Sequence, residues 1–149
     1  MRSKVKERGQ ATVEFALTIV LVMIFILGAL ELIMLMYTYN VLADAAKDGV
    51  RYAIVHGTNT GAGNCSGPGG NGVTCTDSTA TNVANQVSIY AALSLHSTSA
   101  MTITPSYPDG VSVPPSRVRV DVSYVYQPFF GLGWPSVTVN AAAEGRIVF

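Results

Sequence analysis

Charge is what this chain has least of. Only 12% of its 149 residues are Asp, Glu, Lys or Arg, about half of the roughly 25% usual in soluble globular chains. Histidine is nearly as scarce: His56 and His96 stand apart from each other and from any carboxylate pattern, which argues against ligand or catalytic duty for either. With two cysteines and no second Cys/His pair at matching spacing, a four-ligand zinc site has no donors. The glycine-rich stretch from Gly57 to Gly72 follows a helical pattern rather than a strand and lacks the lysine and Ser/Thr of a phosphate loop. It reads as a flexible loop. No Ser/His/acid or paired-carboxylate site suggests itself, so the expectation is a non-enzyme with no cofactor. The length allows one modest domain with a real core.

What is present, against that background, is apolar surface: 49% of residues are hydrophobic. From Phe15 to Met36 the sequence FALTIVLVMIFILGALELIMLM carries a single charge, Glu31. The uncharged part, Phe15 to Leu30, spans roughly 24 Å as a helix at ~1.5 Å per residue, against a hydrocarbon core of about 30 Å. Leu32 to Met36 extend it past the span requirement. Ahead of it, Arg2, Lys4, Lys6 and Arg8 outweigh Glu7, which keeps the N-terminus cytoplasmic and exports the residues beyond the helix. A cleavable signal peptide shares a basic leader and an apolar run, but its run is shorter and gives way to small residues at a cleavage site. Here the run continues into a helical, charged segment.

That segment, VLADAAKDGVRYAI, repeats small and apolar residues at Leu42, Ala45, Ala46, Gly49 and Ala53, in step with a 3.6-residue period. Asp44 precedes Lys47, and Asp48 precedes Arg51, by three positions, so opposite charges meet on the solvated side. One helix from about Thr12 to Val55 measures roughly 65 Å, twice the membrane thickness. Its second half therefore stands outside the bilayer. Beyond a loop from His56 to Asp77, STATNVANQVSIYAAL predicts a short amphipathic helix with Ser78 or Thr79 as N-cap and Ala80, Val83, Ala84, Val87, Tyr90 and Ala91 on one face. Met101 to Thr104 reads as a strand, followed by a proline-rich turn. In RVRVDVSYVYQ, Val118, Val120, Val122, Tyr124 and Tyr126 alternate with Arg117, Arg119, Asp121 and Ser123, the pattern of a half-buried antiparallel strand. SVTVNAAAEGRIVF supplies a last strand or pair of strands. The fold expected is α+β: a long N-terminal helix, a second short helix, and a three- to four-stranded antiparallel sheet packed on the protruding half of the first.

Cys65 and Cys75 both lie beyond the apolar run. In an exported, oxidising setting they predict a disulfide closing a short loop, worth roughly 2–4 kcal/mol; two free thiols are the alternative. Reduction is expected to loosen that loop alone, the strand-rich region lying elsewhere in sequence.

The junction between leader and helix, KERG-QATVEFALTIV, places Gly9 at the end of the basic leader and Glu14 at the fifth position after it. Glycine offers no side chain to obstruct an enzyme's approach to the backbone. A carboxylate near the membrane is costly, by up to ~3 kcal/mol if central, so an unpaired one usually has a role. This arrangement resembles the processing site of type IV prepilins. The Glu-Phe pair and GALELIMLMYTYNVLADAAKDGVRYA resemble, more narrowly, the TadE-like family of tight-adherence (Flp-type) pilus pseudopilins, strongly over residues 8 to 55 and weakly beyond. The resemblance implies cleavage between Gly9 and Gln10 by a membrane-embedded prepilin peptidase and assembly, as homo- or hetero-oligomer, with other pilin-like subunits and the pilus assembly platform. It divides the chain into a leader at 1–9, a long helix at 10–55 that crosses the membrane in its first half, and an extracytoplasmic α+β domain at 56–149. The place implied is the bacterial inner membrane among its lipids, and the extracellular filament after assembly.

A neighbour's new α-amino group at Gln10 would neutralise Glu14. Glu31, roughly 25 Å further along the helix, reads as a snorkelling interfacial carboxylate, or as one pairing with a basic side chain of an adjacent subunit. Gly28 forms no GxxxG pair and so gives no glycine-mediated dimer. Loss of the leader removes four basic and one acidic side chain, leaving five and eight from nine of each, a formal charge of about −3. Nucleic acid, which needs clustered Lys and Arg, is not an expected partner. The competing reading is a bitopic anchored domain that binds a ligand or partner outside the membrane without polymerising.

Overall fold

A computed structural model describes residues 3–58, 63–70, 75–131 and 133–148, with side chains from residue 9 onward. Ser3–Val55, 53 residues without a proline, form one unbroken α-helix, α1, about 80 Å long. It starts earlier than the expected Thr12 and runs straight through Gly9 and Gln10. α2 spans Thr81–Ala92, and three strands complete the chain: β1 Met101–Ser106, β2 Arg117–Tyr126 and β3 Val137–Arg146. They form a three-stranded antiparallel sheet in the order β1-β2-β3.

The N-cap expected of Ser78 or Thr79 is not made. Ala80 takes the cap position in a left-handed conformation, with no side-chain cap of its own. The Asp77 carboxylate caps the helix instead, its Oδ2 accepting the Asn82 backbone N–H at 2.8 Å. A carboxylate at a helix start also meets the positive end of the helix dipole, which neither hydroxyl offers.

The core lies between the second half of α1, α2 and one sheet face. Leu42, Ala45, Ala46, Val50 and Ala53 pack with Val83 and Val87 of α2 and with Val118, Val120 and Val122 of β2. Each fully buried valine or leucine contributes about 1.5–3 kcal/mol of transfer free energy. Small residues set how closely the layers approach. A Cβ on Gly49 would collide with the Val87 side chain, and one on Gly145 would stand 2.7 Å from both Ile54 Cδ1 and Val50 Cγ1. Real Cβ contacts do not come that near, so β3 lies against the helix only because its AAAEG run is small. The register pairs Val120 with Ala143 and Val122 with Ala141, matching large residues on the middle strand with small ones on the edge strand against α1.

Cys65 and Cys75 form a disulfide with Cα atoms 5.7 Å apart. Most described residues of its loop are buried, and it is bonded to three other elements, in contrast to the flexible loop expected. Ser66 Oγ donates to the Ala53 carbonyl at 3.1 Å, and Asn82 Nδ2 donates to the Cys65 carbonyl at 2.9 Å. Gly69 N–H donates to Ser112 Oγ at 2.8 Å, and the Ser112 N–H to the Gly69 carbonyl at 3.0 Å. The segment thereby joins the end of α1, the start of α2 and the β1–β2 connection. Residues 59–62 and 71–74 of the expected loop lie outside the described residues.

Candidate functional site

The first half of α1 touches almost nothing in its own chain. Over the apolar window of this helix only 6% of residues are buried, and Phe15, Leu17, Leu21 and Phe25 are all more than half exposed. A helix apolar on every side is at equilibrium in lipid or among other helices, not in water. Its length and composition suffice to cross a membrane.

Near the start of this helix Gln10 and Glu14 are exposed and four residues apart, hence on one face and about 6 Å apart along the axis. The Glu14 backbone carbonyl accepts the Thr18 hydroxyl at 2.9 Å; its carboxylate has no partner among the described residues. Gly9 is the one glycine of the three on α1 that faces open space: nothing lies within 4 Å of a Cβ placed there. Among the described residues, no packing contact requires a glycine at that position.

Glu31 behaves differently from Glu14 and from the expected snorkelling carboxylate. It is 4% exposed. Its Oε1 accepts the Tyr126 hydroxyl at 2.6 Å and the Phe129 backbone N–H at 3.0 Å, while Oε2 is buried without a hydrogen-bond partner among the described residues. The partners come from the end of β2 and from the β2–β3 connection, so the α+β domain folds back onto the helix where its uncharged run ends. An oxygen accepting a short O–H bond and an N–H bond is held by charge-assisted interactions roughly twice as strong as neutral ones. Burial, and then the hydrogen bond to Glu31 and its negative charge, push the Tyr126 hydroxyl up to about 12.

One turn below, Trp134 lies across Gly28: its Cη2 stands 3.3 Å from where a Cβ on Gly28 would be. The lone glycine that makes no GxxxG pair thus makes room for an indole of its own chain. Glu31, Leu35, Tyr126 and Trp134 line a cavity of about 200 Å³ at this seam. Sequence reasoning did not find Tyr126, Phe129 or Trp134 as partners of the helix. The available signal was the absence of charge between Asp121 and Glu144, which reads as loop and strand but equally as a second apolar surface.

The two histidines hold ordinary positions. His56 stacks on Tyr52 with ring centroids 4.0 Å apart, and His96 is exposed in the α2–β1 connection. Among the described residues, no three His, Cys, Asp or Glu gather as a metal site would need.

Residues 9–51 match the family model of the TadE-like protein. Over this segment, under a third of the chain, the protein is similar to the TadE-like family. The match begins at Gly9, takes in Glu14, Gly28 and Glu31, and ends at Arg51, so it covers the exposed half of α1 and most of the half that packs on the core. TadE-like proteins are structural, pseudopilin-like components associated with tight-adherence pili, and are not known as enzymes. No curated protein and no solved structure matches the chain.

Proposed function

We propose that this chain is a pilin-like subunit of a tight-adherence pilus or of its assembly machinery, trimmed after Gly9 by a prepilin peptidase and assembled through the exposed half of α1. The observation that carries the reading is the contrast among the α1 glycines. Gly28 and Gly49 each make room for a side chain, whereas Gly9 makes room for none. A residue without a packing reason, between a basic leader and an apolar helix, fits a demand made by another protein, here a peptidase that must reach the Gly9–Gln10 bond. The basic leader keeps that bond at the cytoplasmic face of the inner membrane, with the domain on the other side.

Assembly follows from the same helix. Cleavage frees an α-amino group at Gln10, one helical turn from Glu14. A neighbouring subunit shifted by about 6 Å along the axis brings its own amino group level with this carboxylate. Pairing removes the cost of a lone charge near lipid, and the surrounding apolar side chains exchange lipid contacts for helix contacts.

The test starts with the N-terminus. Mass spectrometry of protein from the native host should find a chain beginning at Gln10, and Gly9→Leu, which the fold accommodates freely, should retain the leader. An intact leader on the native protein would sink the assignment and favour an anchored domain that does not polymerise. Glu14→Gln should still insert yet fall in sheared surface filaments relative to its abundance in the inner membrane. Unchanged incorporation would remove the charge pairing and leave the cleavage standing.

A further inference from the structure

The connection between β2 and β3, residues 127–136, has an odd composition for a surface loop of an exported domain. QPFFGLGWPS contains no charged residue and three aromatic rings. Phe129 is 79% exposed, and Phe130 and Trp134 are partly exposed. The two phenylalanines meet edge to face at 5.3 Å. Gly131 and Gly133 have positive φ, 56° and 76°, a conformation that other residues adopt at a cost. The bends of this knuckle lie between the two phenylalanines, which stay exposed, and Trp134, which lies against Gly28 of α1.

The position of the knuckle on α1 decides what faces it. Trp134 covers Gly28, and the Phe129 N–H is held by Glu31. These helix positions straddle the end of the uncharged run at Leu30. From Glu14 to Glu31 the helix rises about 25 Å, close to the roughly 30 Å of the hydrocarbon core. With Glu14 at the inner interface, Gly28 to Glu31 stand at the outer one. Tyr37 and Tyr39, each about half exposed, lie about 10 Å further out along the helix. Aromatic side chains at the level where hydrocarbon meets headgroups form the belt typical of membrane proteins, with rings in apolar surroundings and polar atoms toward water.

We propose that this loop is seated in the interfacial layer of the outer leaflet, with Phe129, Phe130 and Trp134 in contact with lipid. The chain then holds the membrane at two places, the spanning helix and an aromatic knuckle belonging to the exported domain. Glu31 ties the two together. Its carboxylate tolerates this depth because Tyr126 and the Phe129 N–H satisfy one oxygen and the loop shields the other from hydrocarbon. The proposal rests on reading α1 as a spanning anchor.

Trp134 is the only tryptophan in the chain, so the unmodified protein carries its own probe. Full-length protein is reconstituted into vesicles of phosphatidylethanolamine and phosphatidylglycerol whose acyl chains are brominated either near the headgroup or near the chain end. Trp134 emission should be quenched several-fold more by the first lipid than by the second, and be poorly reached by aqueous iodide. The variant Trp134→Phe/Phe129→Trp moves the single indole to the most exposed position of the knuckle, away from the helix. It should show the same preference for bromine near the headgroup. Protein retained on the vesicles after alkaline washing, with a residue-129 indole quenched by iodide and not by brominated lipid, would overturn the seating while leaving the anchor intact. Loss of the protein in the wash overturns both. An indole shielded from lipid and iodide alike also overturns the proposal, because a second protein surface then covers the knuckle.

Discussion

The two halves of α1 each carry apolar residues, but the first is apolar on every side whereas the second mixes them with Asp44, Lys47, Asp48 and Arg51, and the two differ in the size of their apolar residues. The inner half presents Phe15, Leu17, Phe25 and Leu32 outward. The outer half buries Ala45, Ala46, Gly49 and Ala53 under α2 and the sheet. A fluid hydrocarbon adapts its shape to any side chain, so bulk suits the inner half; a folded partner does not adapt, and closeness there requires small residues. Charge and size together separate the two halves: the first carries no charge from Phe15 to Leu30, and the second turns small residues toward its own domain.

The comparison breaks most readily at the middle of the inner half. Ile24→Lys should cost about 3 kcal/mol of insertion free energy while leaving the α+β domain folded. The readout is the fraction of protein resisting alkaline extraction from membranes, and an undiminished fraction would mean that this half is not in hydrocarbon. Gly49→Leu is the mirror experiment. It drives a side chain into Val87 and should destabilise the domain by about 2–3 kcal/mol, read as a drop in Tm, with insertion unchanged. Equal Tm values would show that the helix and α2 have room to part.

Removing the disulfide by Cys65→Ser with Cys75→Ser sharpens the account of the outer half. A loss of about 2–3 kcal/mol is expected from chain entropy for so short a loop. Hydrogen exchange should quicken at the end of α1 and around Ser112 as well as within residues 63–70, because Ser66 and Gly69 bond to those places. Faster exchange confined to the loop would restore the simpler expectation. The smallest effect concerns the seam between the halves. Glu31→Gln keeps an acceptor oxygen but loses the charge, for a cost of about 1–2 kcal/mol. The Tyr126 hydroxyl, held near 12 when Glu31 faces it, should titrate earlier, seen as one phenolate shifted down in an ultraviolet alkaline titration. In the parent protein the raised hydroxyl stabilises the fold fully below pH 10, and that contribution fades as pH rises toward about 12. An unchanged titration would separate Tyr126 from Glu31.

The sequence alone disclosed the periodic elements well, because each had a single pattern to satisfy. Val118, Val120 and Val122 alternate with charged or polar neighbours, and Val83, Val87 and Ala91 recur at helical spacing. The apolar run, the disulfide pair and the family resemblance at the leader junction were equally plain. Tertiary choices were not. Asp77 took over the cap because the chain arrives at α2 with Ala80 already in a left-handed turn. The glycine-rich segment carried no apolar signal, and its order comes from backbone and hydroxyl hydrogen bonds to distant residues. Glu31 defies local reading because its partner, Tyr126, lies 95 residues away, and no local rule turns a carboxylate inward.

The seam at Glu31 also governs azimuth. An uninterrupted helix joined to its domain by a single strand of chain would let that domain swivel like a flag on a pole. Here the domain grips the helix at two heights, through the Ala45–Ala53 face above and through Glu31 and Gly28 below, so the compass bearing of the sheet follows the rotation of the membrane segment. A quarter-turn of the apolar half becomes a quarter-turn of the whole domain. Any neighbour that docks on the inner half therefore also dictates which flank of the sheet it will meet.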